Sequence, residues 1–438
     1  MSLQEKVEQA RDDVAALEQL YAQAEADGES HAFREAVARC LAQQPHQTLF
    51  LAWAYRLKLL PENQNAGAER RTYWQSAIGI SLGLGLVFLL LAGGKPPVPV
   101  PELERPQFWL GWSPALGLAV LAFLFAVNRA GARAYALCGI GIAALSVPVL
   151  LTFWHRTDFL AVLATLHFPF VIWAVIGGSV IHSQRNRAAQ FHAFTVKSIE
   201  IILTGGIYLG AFLIFLMLTF GIFSVIDIKI SERLMRNAVA WGMGSIAILS
   251  LASIYSPAVA PVAQNVTMGL TRLLGILTRL LLPLTLAVLA VYAIYFIPMF
   301  FWRPFEERNV LIVYNATIMA VLVLISLCVA HSDGQTRQQR SPVWYGLAIL
   351  VSLTGLLNLY AVMAVMYRTL AFGLTPNRYA VLGWNVMTLL ILGATLATLL
   401  RSPGHTWASD LRETLGRSSA YAAAWSLWVL LVLPFSFD

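Results

Sequence analysis

Charge is what this chain has least of. Asp, Glu, Lys and Arg make up 12 % of its 438 residues, against roughly 25 % in an ordinary soluble domain. Cysteine is almost missing too. Cys40, Cys138 and Cys328 stand alone, two of them in apolar runs, so neither a disulfide framework nor a zinc site is indicated. There is no HExxH, no GxSxG and no Walker loop, and no two carboxylates share a membrane helix. Metalloprotease, serine-hydrolase and P-loop chemistry are thereby left without their residues, and no cofactor is implied. The first seventy residues are polar and helix-prone, so a cleavable signal peptide is not expected. The net charge of +7 falls largely in short loops. It reads as a topology signal rather than a nucleic-acid footprint.

Apolar residues supply the rest, 58 % of the chain. Several runs are long enough to cross a hydrocarbon layer of roughly 30 Å. In lipid only helices or a closed barrel satisfy the backbone, and these runs are too long and too uniformly apolar for barrel strands. The expected fold is all-α: a polytopic helical membrane bundle over 69–435, with a small cytoplasmic helical module over 1–68. Spans are predicted at 73–93, 113–127, 134–153, 159–181, 199–225, 237–255, 280–301, 310–330, 344–367, 379–400 and 420–433, about eleven helices in all. With the N-terminus inside, the cytoplasmic loops hold Arg129, Arg133, Arg185, Arg187, Lys197, Arg337, Arg340, Arg401, Arg412 and Arg417. On the outer side Lys229, Arg233, Arg303 and Arg308 are accompanied by Glu102, Glu104, Asp227, Glu232, Glu306 and Glu307, so the positive-inside bias is moderate. The proline-rich stretch 95–101 reads as an extended outer loop.

In the N-terminal module, Leu3, Val7, Ala10, Val14, Leu17 and Tyr21 alternate spacings of four and three, a short heptad seam ending at Asp27-Gly28. Ser30 caps a second helix through Phe33, Val37 and Leu41, Pro45 breaks it, and a third helix runs over 47–60. Residues 61–68 read as a polar linker. Two readings stand: a module packed on itself, or a docking site, through residues 1–60, for a protein partner or a second copy. Further on, Arg272 and Arg279 share a helical face. They fit either an interfacial lead-in helix over 268–282 that bends at Pro283, or one long tilted helix.

Two later stretches echo each other. Arg308 opens one hydrophobic helix with Tyr314 and Asn315 following; Arg378 opens another with Trp384 and Asn385 at the same offsets. Tyr292-Ala293 and Tyr360-Ala361 lie in the segments before them. This is the pattern of a duplicated helical hairpin, 280–330 and 344–400, with a polar residue held in the bilayer. Both hairpins cross twice, so the repeats are parallel rather than inverted. In the second hairpin, Gly373 permits a tight turn, Thr375 caps the next helix and Pro376 takes its first position, followed by Asn377 and Arg378. A cation in a first turn opposes the helix dipole, so initiation does not explain Arg378. With Arg368 on the other arm it makes either an anion seat or a pair of lipid-headgroup anchors. Asn358 and Asn385 each lie ten residues from that turn, roughly 15 Å down at 1.5 Å per residue. They either bond each other across the helix pair or, with Asn315, line a polar cavity.

Other polar residues have two readings each. His167, followed by Pro169, is either a proton-relay or ligand group or a neutral imidazole bonded to a carbonyl that the proline frees. Glu200 is either a carboxylate suiting a helix start or a buried functional acid, and Gly205, Gly206 and Gly210 make either a close-packing face or part of a substrate path.

Leu282-Pro-Leu leading into Val291-Tyr-Ala, and Tyr367-Arg368 followed by Phe372-Gly-Leu-Thr-Pro-Asn-Arg-Tyr379, resemble the bacterial domain-of-unknown-function 4153 family over about 280–400. The usual Tyr-Gly of that turn is Phe372-Gly373 here. The resemblance implies a polytopic protein of the bacterial inner membrane and brings no activity with it. From the residues, the leading expectation is a transport or lipid-handling protein that meets membrane lipids and binds an amphiphilic anion. Arg368, Arg378 and Asn377 would stand at the turn, with Asn358, Asn385 and Asn315 below. The alternative is a membrane adaptor or sensor working through its N-terminal module. A lipid enzyme ranks last, since no catalytic constellation can be named.

Overall fold

A computed structural model describes residues 3–11, 13–27, 30–44, 47–57, 64–93, 106–154, 156, 158–225, 231–264, 270–332 and 342–437. The segment 95–101 and the residues Pro45, Glu102, Glu104, Asp227, Lys229, Met268, Arg337 and Arg340 lie outside them, as does the side chain of Arg272. The chain divides into two compact units, Met1–Gln75 and Ser76–Asp438.

The first unit holds four helices where the spacing predicts three: α1 (Leu3–Gln9), α2 (Val14–Ala26), α3 (Ser30–Gln43) and α4 (Thr48–Arg56). The heptad seam breaks because Asp13 leaves the helix and accepts a hydrogen bond from the Ala16 N–H at 3.0 Å. Val7, Ala10 and Leu17 remain in the core, but the break turns Val14 outward, 59 % exposed. Tyr21, Phe33 and Trp53 pack edge to face with centroids 5.3–5.5 Å apart, and Arg56 stacks on Trp53 while pairing with Glu18. Burial, then the charge of Glu8, pushes the Cys40 thiol up from its ordinary range. The segment read as a linker is helical from Gln64, where α5 (Gln64–Ala92) begins.

The second unit is an all-α polytopic bundle. It continues α5 with α6 (Pro106–Val127), α7 (Ala132–Phe153), α8 (Phe159–Ile181), α9 (Arg187–Val225), α10 (Glu232–Ile254) and α11 (Leu270–Val291). A π-turn (Tyr292–Phe296) and the short α12 (Ile297–Met299) and α13 (Arg303–Glu306) follow. The last elements are α14 (Arg308–Ala330), α15 (Pro342–Phe372), α16 (Pro376–Arg401), α17 (Trp407–Leu431) and α18 (Leu433–Ser436). Among the described residues ten helices are long and apolar enough to cross a membrane, one fewer than the sequence count. The helix over the expected last span, α17, does not qualify. Asp410, Arg412, Glu413 and Arg417 occupy its first three turns. It tolerates them because α8, α9, α14 and α16 all pack around it.

Helix α11 is continuous through Pro283, in keeping with the single long helix of the two readings. α9 begins at Arg187, twelve residues before the expected span, after Asn186 turns the chain at φ 49°. Its 39 residues make it about 58 Å long at 1.5 Å per residue, nearly twice the hydrocarbon thickness. Glu200 is therefore not at a helix start. It lies more than three turns in, 4 % exposed, with its carboxylate 2.8 Å from Lys197 Nζ. Of the three glycines expected to form a packing face on that helix only Gly205 faces a neighbour, Ser250 of α10; Gly206 and Gly210 face open space.

Candidate functional site

The two echoed arginines reach the same place. α14 and α16 both begin at one end of the bundle, where α15 ends and α8 starts, and a cavity of about 290 Å³ opens between them. Arg308, Arg368 and Arg378 line it, with Asn315, Asn377 and Thr375. Phe159, Leu311, Ile312, Val365, Pro376 and Val381 supply its apolar wall. The helix starts run parallel because each hairpin crosses the bundle twice. Their first-turn N–H groups add a positive field to the three guanidiniums.

The turn geometry explains each cation. Thr375 caps α16 by accepting from the Arg378 N–H at 3.3 Å, and Gly373 takes φ 80°, a conformation that costs a side-chain-bearing residue. Arg378 Nη1 then reaches back to the carbonyls of Phe372 and Gly373 at 3.0 and 2.5 Å. Its charge thus serves the negative end of α15, which resolves the clash with the α16 dipole. Arg368 Nη1 donates to Glu306 O at 2.6 Å, just past the Phe305 carbonyl at 3.5 Å, at the end of α13. Arg308 lies over the Phe159 ring at 5.5 Å. Among the described residues no carboxylate comes within 4.0 Å of any of the three. The nearby Asp158 caps α8 through the Ala161 N–H and pairs with Arg156. Each arginine therefore keeps free N–H groups, and Arg368 and Arg378 are also pinned by carbonyls.

The remaining predicted residues stand apart from this cavity. Asn358 Nδ2 donates to the backbone carbonyl of Asn385 at 2.8 Å, joining α15 to α16, and both residues are buried. Their other amide atoms, Asn358 Oδ1 and Asn385 Nδ2, are buried with no partner among the described residues. Equivalent asparagines of the echo thus meet different surroundings: Asn315 on the cavity, Asn385 inside the α15–α16 seam. The aromatic residues just before them do the same job in both copies. Tyr314 and Tyr292 share a hydroxyl–hydroxyl bond of 2.6 Å, and Trp384 Nε1 donates to His167 Nε2 at 2.7 Å. Each ties its helix to a neighbour.

His167 Nδ1 lies 2.7 Å from Leu163 O. A carbonyl only accepts and an indole N–H only donates. The imidazole is therefore neutral, with its proton on Nδ1 and its Nε2 lone pair facing Trp384.

Sequence reasoning placed Arg308 on an outer loop and left it out of the site. The signal was present, since Arg308 and Arg378 open their helices at equal offsets from Asn315 and Asn385. It also left out Phe159, which nothing in the sequence connects to the turn. At the opposite end, Arg412, expected in a loop, lies on α17 and bonds the carbonyls of Val329, Ala330 and Ser332 that end α14. Among the described residues no group of three or more His, Cys, Asp or Glu side chains is placed to hold a metal ion. The chain matches no protein-family model, no curated protein and no solved structure.

Proposed function

We propose that this protein binds an amphiphilic anion in the arginine cavity and that it handles lipids or transports such molecules in a bacterial inner membrane. The observation that carries this reading is the cavity itself. Three guanidiniums with free donors share about 290 Å³ with two amide side chains and an apolar wall. Anchoring arginines that only snorkel to headgroups would spread around the bundle rim, whereas these converge. The bacterial setting rests on the family resemblance, and a cytoplasmic N-terminus on the loop charges. In that orientation the cavity faces the outer leaflet.

The test is native mass spectrometry of the detergent-purified protein beside Arg378→Ala. An adduct of defined mass on the parent should fall about tenfold in the variant, the effect of losing one charge-assisted hydrogen-bonding group. Bare protein in both, or the same spread of phospholipids, would sink the assignment.

A second reading, a membrane adaptor, is favoured by one observation: residues 1–75 have their own aromatic core. Deleting residues 1–68, which leaves the span Thr72–Ala92 whole, separates the two. The cavity reading expects adduct retention unchanged from the full chain, while an adaptor loses its cytoplasmic partner.

A further inference from the structure

We infer that the anion taken by this cavity is a lipid phosphomonoester, its dianionic phosphate held by Arg308, Arg368 and Arg378 and its hydrocarbon leaving sideways between α8 and α14. This inference rests on the anionic-amphiphile reading and narrows it to a headgroup and a portal.

Charge comes first. Three cations drawn to one small cavity repel each other, and no carboxylate among the described residues lies within ion-pair distance to offset them. A phosphomonoester carries about −1.5 to −2 near neutral pH. A phosphodiester or a fatty-acid carboxylate carries a single charge, so it relieves less of that repulsion. Donor geometry agrees. A terminal phosphate presents three strong acceptor oxygens to three guanidiniums. A carboxylate presents two. Arg368 and Arg378 each commit Nη1 to backbone carbonyls. Their remaining N–H groups are therefore held in place for an oxygen ligand, and less freedom is lost on binding.

The portal follows from packing. α8 packs on α16 and α14 packs on α15, while the backbones of α8 and α14 stand further apart and are bridged by Arg308 over the Phe159 ring. Phe159 of α8 and Ile312 of α14 stand on either side of that gap. Both line the cavity, and both are exposed, 57 % and 54 %. On a membrane bundle such exposed apolar residues face acyl chains. The cavity volume, about 290 Å³, sits at the bottom of the roughly 300–1,000 Å³ range for drug-sized ligands. It has room for a headgroup and none for long chains, so the chains must lie along the gap.

The test uses the intact protein in detergent and three probes: dioctanoyl phosphatidic acid, dioctanoyl phosphatidylglycerol and inorganic phosphate. Dissociation constants come from titration followed by native mass spectrometry. Phosphatidic acid should bind about tenfold or more tighter than phosphatidylglycerol, and inorganic phosphate about a hundredfold more weakly than phosphatidic acid. Arg308→Gln should bring the ratio between the two lipids towards one with the thermal midpoint unchanged. Ile312→Ser, which changes no charge, should weaken phosphatidic acid several-fold and weaken inorganic phosphate by less. Equal affinity for the two lipids, with both lost in Arg378→Ala, overturns the phosphomonoester while the anionic-amphiphile reading survives. Inorganic phosphate binding as tightly as phosphatidic acid overturns the lateral portal and makes the site one for a free anion. Lipid binding untouched by either arginine variant overturns both readings.

Discussion

A guanidinium beside lipid discriminates between ligands only when its own position is fixed. Arg378 and Arg368 achieve this with carbonyls at helix ends rather than with carboxylates, so their full charge stays available. Lys197 and Glu200 follow the opposite strategy. They lie three residues apart on α9, each side chain 6 % exposed, and their charges meet at 2.8 Å. Removing one partner of a buried pair leaves an uncompensated charge, whereas replacing both with apolar groups is often nearly neutral. Lys197→Met should therefore cost about 3–5 kcal/mol, and Lys197→Met with Glu200→Leu should return to within about 1 kcal/mol of the parent. Thermal unfolding of the three proteins in one detergent decides it. Equal loss in the single and double variants would mean the pair is not what stabilises α9. Neither residue's role was legible from the sequence. Polar turns before an apolar run read as loop, and only the packing of α17 and α8 on α9 shows why they stay helical and buried.

At the level of elements, the repeated offsets of arginine, aromatic and asparagine were the most legible feature, since they can be read without knowing the neighbours. What those residues touch was less legible, since that depends on the partner helix. Tyr314 meets a π-turn on α11, while Trp384 meets α8. Extra backbone in a π-turn commonly marks a place where a side chain is re-aimed, and here Tyr292 is the one presented. Helix contacts also decide which glycines matter. A Cβ on Gly416 of α17 would stand 1.8 Å from the Ala188 carbonyl oxygen of α9, and one on Gly206 would meet nothing within 4 Å. Gly416→Ala should thus destabilise by about 1–3 kcal/mol or more, because two backbones must separate. Gly206→Ala should be neutral or gain up to about 1 kcal/mol from helix propensity. The same melting experiment reads both, and a harmless Gly416→Ala would refute the close α9–α17 approach.

At the level of the whole molecule, hydropathy found the bundle; among the described residues ten helices are long and apolar enough to cross a membrane, and α17 is the more polar eleventh. Its charged first turns lie among four neighbouring helices, while Tyr421 and Trp428 further along are exposed. Orientation is open to a direct measurement. Leu374, 51 % exposed, lies in the turn beside the cavity. With Cys40 and Cys328 buried and Cys138 half-buried, the parent gives a low background. Leu374→Cys should react with a membrane-impermeant maleimide on intact cells; labelling only after permeabilisation would invert the topology and turn the cavity to the cytoplasm. His167 bears on proton movement within the bundle. A Grotthuss chain needs sites that take a proton on one side and release it on the other. His167 sits between an indole that can only give and a carbonyl that can only receive. Relayed protons stop there, so in this arrangement the imidazole is a dead end for a proton wire.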